Sequence, residues 1–214
     1  MTNDLQKRVI FGAIALAIFT PFLLAGGMAF QFFVGLLAMI ATAELIKMRR
    51  LAPNSIEGVL AMLASLVLTL PLQNYLTFLP TDGNYTAYAI VVFLLLGATV
   101  FNIGRYNYSD VVFPIASSFY VGIGFHSLVL ARMDGLNKVF FALCLVWATD
   151  IGAYMIGRQF GRRKLLPKVS PNKTVEGFVG GILSAVVVAI IFLIVDKSLL
   201  AGYSFGMILL LVVI

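Results

Sequence analysis

Long apolar runs, separated by short polar breaks, divide this sequence into segments of membrane-crossing length. Runs at 9–25, 28–46, 56–72, 86–104, 111–131, 136–156, 177–195 and 199–214 each approach the roughly 20 residues that a helix needs to cross a bilayer. The pattern predicts an all-α polytopic bundle of about eight transmembrane helices. It forms one integral-membrane domain over 1–214, with no length left for a water-soluble domain. Gly26-Gly27 predicts a tight hairpin between the first two spans, and Pro53-Asn54-Ser55 a turn before the third. The segment Gln73 to Tyr85, which includes Pro80 and Asp82-Gly83, carries no lysine or arginine and should face outward. Arg105 and Tyr106-Asn107-Tyr108 read as an interfacial group closing the fourth span. Pro114, Ser117, Ser118, Gly122 and Gly124 loosen the fifth.

Composition sharpens this picture. Of 214 residues, 61% are hydrophobic and 11% charged, which excludes an ordinary soluble domain. The first run follows Lys7-Arg8 but leads straight into another span, so it reads as a retained helix rather than a cleaved signal. The single cysteine, Cys144, excludes an internal disulfide and cannot form a metal cluster alone. The net charge of +6 lies on loops, which points to membrane orientation and local anion binding and away from nucleic acid. When the basic residues are assigned to alternate sides of the predicted spans, twelve fall with the N-terminus and the 157–176 loop and three on the opposite side. The positive-inside rule makes the richer side cytoplasmic. No repeat of fixed period and no inverted pair of broken helices occurs.

Candidate chemistry gathers in residues 147–177. From Arg158 to Lys173 stand six basic residues (Arg158, Arg162, Arg163, Lys164, Lys168, Lys173) and no acidic one, with Asp150 upstream and Glu176 downstream. Such a segment suits anions. Asp150, Tyr154 and Arg158 follow one another at helical spacing and should form one stripe. Ala148, Gly152 and Gly157 leave room for a close neighbour, either a helix or a ligand. A carboxylate inside an apolar helix costs roughly 2.5–3.5 kcal/mol unless it is paired or faces a polar cavity. Asp150 is therefore either a partner of Arg158 or Lys173 or part of a site. Ser170-Pro171 reads as an N-cap followed by proline at the first helical position, with Asn172 a second possible cap. A helix starting near Val175 would add free backbone N–H groups and its dipole to the Lys173 ammonium, the outline of a phosphate site, with Thr174 supplying a hydroxyl. Elsewhere, Glu44 is spaced to pair with Lys47. His126 reads as an interhelical hydrogen-bonding group, with proton relay as the alternative.

The pattern Asp150-x-Gly152-Ala153-Tyr154-x-x-Gly157-Arg158-x-Phe160-Gly161, followed by Lys164-Leu165, Pro167 and Ser170-Pro171-Asn172-Lys173-Thr174-x-Glu176-Gly177, resembles the CDP-diacylglycerol synthases, or phosphatidate cytidylyltransferases. The resemblance implies a bacterial multi-pass enzyme of phospholipid biosynthesis in the plasma membrane, acting on CTP and phosphatidate with Mg²⁺ and an assisting monovalent cation such as K⁺. It also implies that Lys173 and Arg158 contact phosphate oxygens, while Ser170, Asn172 and Thr174 shape the anion site. Asp150 and Glu176 become metal-linked or lysine-orienting carboxylates, with Asp150 a candidate metal ligand. Lys164 and Lys168 hold the phosphatidate headgroup or anionic lipid. The family's C-terminal signature, rich in Lys-Asp and Asp-Arg-x-Asp, does not occur before Ile214. The stronger metal ligands are accordingly expected outside these residues, and full activity is expected of a longer chain. A homodimer fits the resemblance. Other functions compatible with the residues are a different CTP-using lipid enzyme, such as a polyprenol kinase, and a transporter or lipid-binding bundle.

Overall fold

The computed structural model of the protein describes residues 2–76, 80, 83–101, 108–196, 199 and 204–213. Asp82, Arg105, Tyr106, Asn107 and Lys197, to which the sequence assigned loop or interfacial places, lie outside the described residues. Eight α-helices occur among the described residues: α1 (Thr2–Ala25), α2 (Gly27–Met48), α3 (Ile56–Thr69), α4 (Gly83–Phe101), α5 (Tyr108–Asp134), α6 (Leu136–Phe160), α7 (Val175–Val195) and α8 (Phe205–Val213). Five segments are long and apolar enough to cross a membrane: Gly27–Met48, Gly83–Val100, Asp110–Asp134, Leu136–Phe160 and Val175–Val195. Ile10–Ala25 and Ile56–Thr69 are shorter apolar helices. The all-α membrane bundle holds, with one addition. A two-stranded antiparallel hairpin, β1 (Lys164–Leu166) and β2 (Ser170–Thr174), joins α6 to α7.

The chain forms two compact units, Met1–Asp134 and Gly135–Ile214. In the first, α3 packs against α2, α4 and α5, burying Ala61, Ala64, Ser65 and Leu68. Small side chains on α3 let its neighbours come close. The third span was expected to run to Leu72, but α3 stops at Thr69 and Leu70 is extended (φ −78°, ψ 138°). Pro71 follows, and a residue before proline is pushed out of the helical region. His126 Nδ1 lies 3.1 Å from the Thr69 carbonyl at that end, so it makes the interhelical hydrogen bond. Gly26 (φ +65°) and Gly27 (φ +52°) form the expected turn between α1 and α2. Arg132 secures the end of α1, donating from Nε to the Leu23 carbonyl at 2.7 Å and from Nη2 to the Leu24 carbonyl at 3.2 Å. Glu44, by contrast, is exposed and forms no ion pair with Lys47 among the described residues. An exposed pair of this kind gains too little to hold two long side chains in place.

Glu57, in the first turn of α3, is 2% exposed, and neither carboxylate oxygen has a hydrogen-bond partner among the described residues. Sequence reasoning passed over it. The available signal was that Glu57 is the only acidic residue between Glu44 and Asp82.

In the second unit α6 and α7 pack along a seam of small residues. A Cβ on Gly152 would lie 2.0 Å from Ser184 Oγ, and one on Gly177 2.7 Å from the Ala153 carbonyl oxygen. Backbones this close require the missing side chains. Of the two uses open to Gly152 and Gly157, the structure realises contact with a neighbouring helix. The opposite side of α6 carries Trp147, Ile151, Tyr154 and Met155, all exposed.

Candidate anion site at the helix hairpin

The basic segment folds as an extension of its two flanking helices. α6 ends at Phe160, and Gly161, its C-cap, donates its N–H to the Gly157 carbonyl at 3.1 Å. The chain then turns through Arg162 and Arg163 into β1. The register pairs Lys164 with Thr174 and Leu166 with Ser170, and Pro167–Val169 form the turn. Val169 N donates to the Leu166 carbonyl at 3.0 Å and closes it.

This corrects the expected start of α7. Ser170 is not an N-cap and Pro171 is not the first helical residue, because both belong to β2. In a two-stranded hairpin, proline is tolerated where its missing N–H would point away from the partner strand. The cap is Thr174, whose Oγ1 accepts from Gly177 N at 3.1 Å.

Thr174 is also enclosed. It is 9% exposed, and Cβ atoms on Gly157, Gly161 or Gly177 would each fall within 3.0 Å of its side chain. Its hydroxyl holds the helix start, a structural use that the sequence did not anticipate beside the expected anion contact. The N-terminus of α7 is filled in the same way. Val175 N donates to the Arg163 carbonyl at 2.9 Å. The Glu176 carboxylate turns back to accept from Arg162 N at 3.0 Å and from Arg163 N at 3.2 and 3.3 Å. Two of the α7 N–H groups expected to cradle phosphate, those of Val175 and Gly177, are therefore engaged inside the protein, and the Glu176 carboxylate fixes the Arg162–Arg163 loop.

The side-chain cations remain available. Lys164, Lys168 and Lys173 are exposed, and no hydrogen bond or ion pair engages their side chains among the described residues. Alternation along β2 puts Lys173 on the face opposite Ser170, Asn172 and Thr174, so the strand separates groups that were expected to act together. Arg158 Nη1 donates to Tyr154 Oη at 3.3 Å, which confirms the helical stripe. Asp150, two turns earlier, is exposed and has no partner among the described residues, so it pairs with neither Arg158 nor Lys173.

Magnesium prefers several oxygen ligands in near-octahedral order. Among the described residues no group of three or more His, Cys, Asp or Glu side chains could hold a metal ion. With Glu176 committed to backbone N–H groups, Asp150 is a lone carboxylate. The described residues do not by themselves compose a metal centre.

The role of Glu176 is testable. Glu176→Ala should leave the fold intact but accelerate amide exchange at Arg162 and Arg163, read by hydrogen–deuterium exchange of the protein in detergent. Unchanged protection at both amides would show that the carboxylate does not hold this loop.

The family model described as "Cytidylyltransferase family" matches residues 6–214. The phosphatidate cytidylyltransferase of Staphylococcus saprophyticus is 40% identical over 190 residues, covering 89% of this chain and 72% of that protein. That of Staphylococcus haemolyticus is 39% identical over 189 residues, with 88% and 72% covered. That of Staphylococcus aureus (strain COL) is 35% identical over 189 residues, with the same coverage.

Proposed function

This chain belongs to the cytidylyltransferase family, and from that premise we propose that it is a membrane enzyme converting CTP and phosphatidate to CDP-diacylglycerol and pyrophosphate. A phosphatidate oxygen attacks the α-phosphorus of CTP. The new P–O bond forms as the bond from the α-phosphorus to the bridging oxygen breaks, and pyrophosphate carries the electron pair away.

The observation that carries this reading is the basic hairpin between two apolar helices. Both substrates are polyanions, one dissolved and one embedded in lipid, so their reaction needs fixed cations at the membrane boundary. Lys173 and Arg158 supply positive charge to the CTP phosphates on this reading, and Lys164 and Lys168 to the lipid phosphate. Ser170 and Asn172, within β2, supply polar groups beside these cations, while Thr174 and Glu176 hold the hairpin in shape. The proposed setting is a bacterial plasma membrane, with the N-terminus and hairpin on the cytoplasmic side.

Mg²⁺, with a monovalent cation such as K⁺ assisting, remains a proposed cofactor that would offset repulsion between the phosphates. Asp150 is the one unpartnered carboxylate on the Arg158 stripe, and further ligands would have to join it.

The test is incubation of the purified full-length gene product in lipid nanodiscs with CTP and phosphatidate, following both products. CDP-diacylglycerol with equimolar pyrophosphate is the expected result. Release of CDP would instead indicate a kinase. Solute flux without CTP consumption would indicate a transporter, and either outcome overturns the proposal.

A further inference from the structure

The turn of the hairpin combines two properties that water does not reward together. Val169 is 79% exposed and Leu166 57%, with Pro167 and Lys168 between them. Behind this apolar tip stand Arg162, Arg163, Lys164 and Lys173, all exposed. The one nearby acid, Glu176, is turned onto the Arg162 and Arg163 amides. The tip is thus a small hydrophobic wedge with a cationic collar.

Its position follows from the helices that carry it. β1 begins four residues after α6 ends, and β2 runs directly into α7. Both helices are long and apolar enough to cross a bilayer. A three-residue strand spans only about 10 Å, comparable with the headgroup layer that lies between hydrocarbon and water. The wedge cannot travel far from the membrane surface.

We propose that the 166–169 tip inserts into the headgroup layer of an anionic phospholipid surface, as an interfacial anchor separate from the transmembrane helices. Leu166 and Val169 would bury apolar area at the acyl boundary, while the lysines keep their ammonium groups among lipid phosphates. Charge complementarity selects this occupant. A second copy of the hairpin would bring like charges together, whereas anionic lipid attracts every cation in the collar.

The anchor can be followed by a single indole. Trp147 is the only tryptophan, so Val169→Trp in a Trp147→Phe background reports on the tip alone. Leu166→Trp serves as a second reporter if the first folds poorly. The full chain is placed in nanodiscs of phosphatidylcholine brominated along the acyl chains, with and without phosphatidylglycerol. The expected result is a blue-shifted emission quenched by bromine, more strongly in the anionic discs. Adding Lys164→Gln or Lys168→Gln should lower the ratio of inserted to free tip about fivefold for each cation removed. A water-like emission open to acrylamide in both discs would overturn the proposal. So would a blue-shifted indole that bromine does not reach, which would mean the tip lies against protein. Quenching equal in the two discs would show that charge does not direct the insertion, and would also overturn it.

Discussion

Lys173→Ala should lower kcat/KM for CDP-diacylglycerol formation by about 10²–10³-fold, the usual loss when one preorganised charge or donor leaves a transition state. Lys173 is singled out by its availability. It lies on the exposed face of β2, its ammonium has no protein partner among the described residues, and it stands one residue before the cap of α7. Arg158, by comparison, already has a partner in Tyr154. Lys173→Arg should recover part of the rate, since it restores charge but not the compact ammonium. The measurement is steady-state turnover in nanodiscs, with folded protein matched between variants. Wild-type kcat/KM in Lys173→Ala would remove this residue from the site.

Gly177→Ala should destabilise the protein by roughly 1–3 kcal/mol or more. The added Cβ would sit 2.7 Å from the Ala153 carbonyl oxygen and 3.0 Å from Gly157 Cα. Backbone atoms cannot rotate away as a side chain can, so α6 and α7 would have to separate. Gly180→Ala would place its Cβ 2.6 Å from Ile156 Cβ, which is fixed to the backbone, and should cost a similar amount. Gly12→Ala meets nothing within 4 Å and is the control. Thermal unfolding in detergent checks the order. An unchanged midpoint for Gly177→Ala would mean that the seam is looser than this geometry requires.

The bundle was legible in the sequence because hydrocarbon imposes one rule on every span, and the apolar runs record it. The glycines of α6 were legible as places of close approach for the same reason. The α3 terminus was missed, although Pro71 marked it, because apolar residues continue beyond the point where the backbone must leave the helix. At the basic segment, residue types were read correctly and their arrangement was not. Ser170-Pro171 has the composition of a helix start, and only the pairing of β2 with β1 shows that the chain is extended there. Local propensity carries no information about a partner strand. Likewise Glu176 looked like an open carboxylate until the fold brought two backbone amides to it. The lysines stayed legible because solvated charges on a short hairpin have few ways to be consumed.

β2 passes into α7 without an intervening residue, since Thr174 ends the strand and caps the helix. Strand pairing and helix rotation are therefore geared together. Inserting or deleting one residue between Pro167 and Val169 could be absorbed by the turn, but the same change between Ser170 and Thr174 would turn α7 by about 100°. Gly177, Gly180 and Gly181 would then swing away from α6 and bulky neighbours would replace them. Natural length variation in this segment should accordingly be confined to the turn.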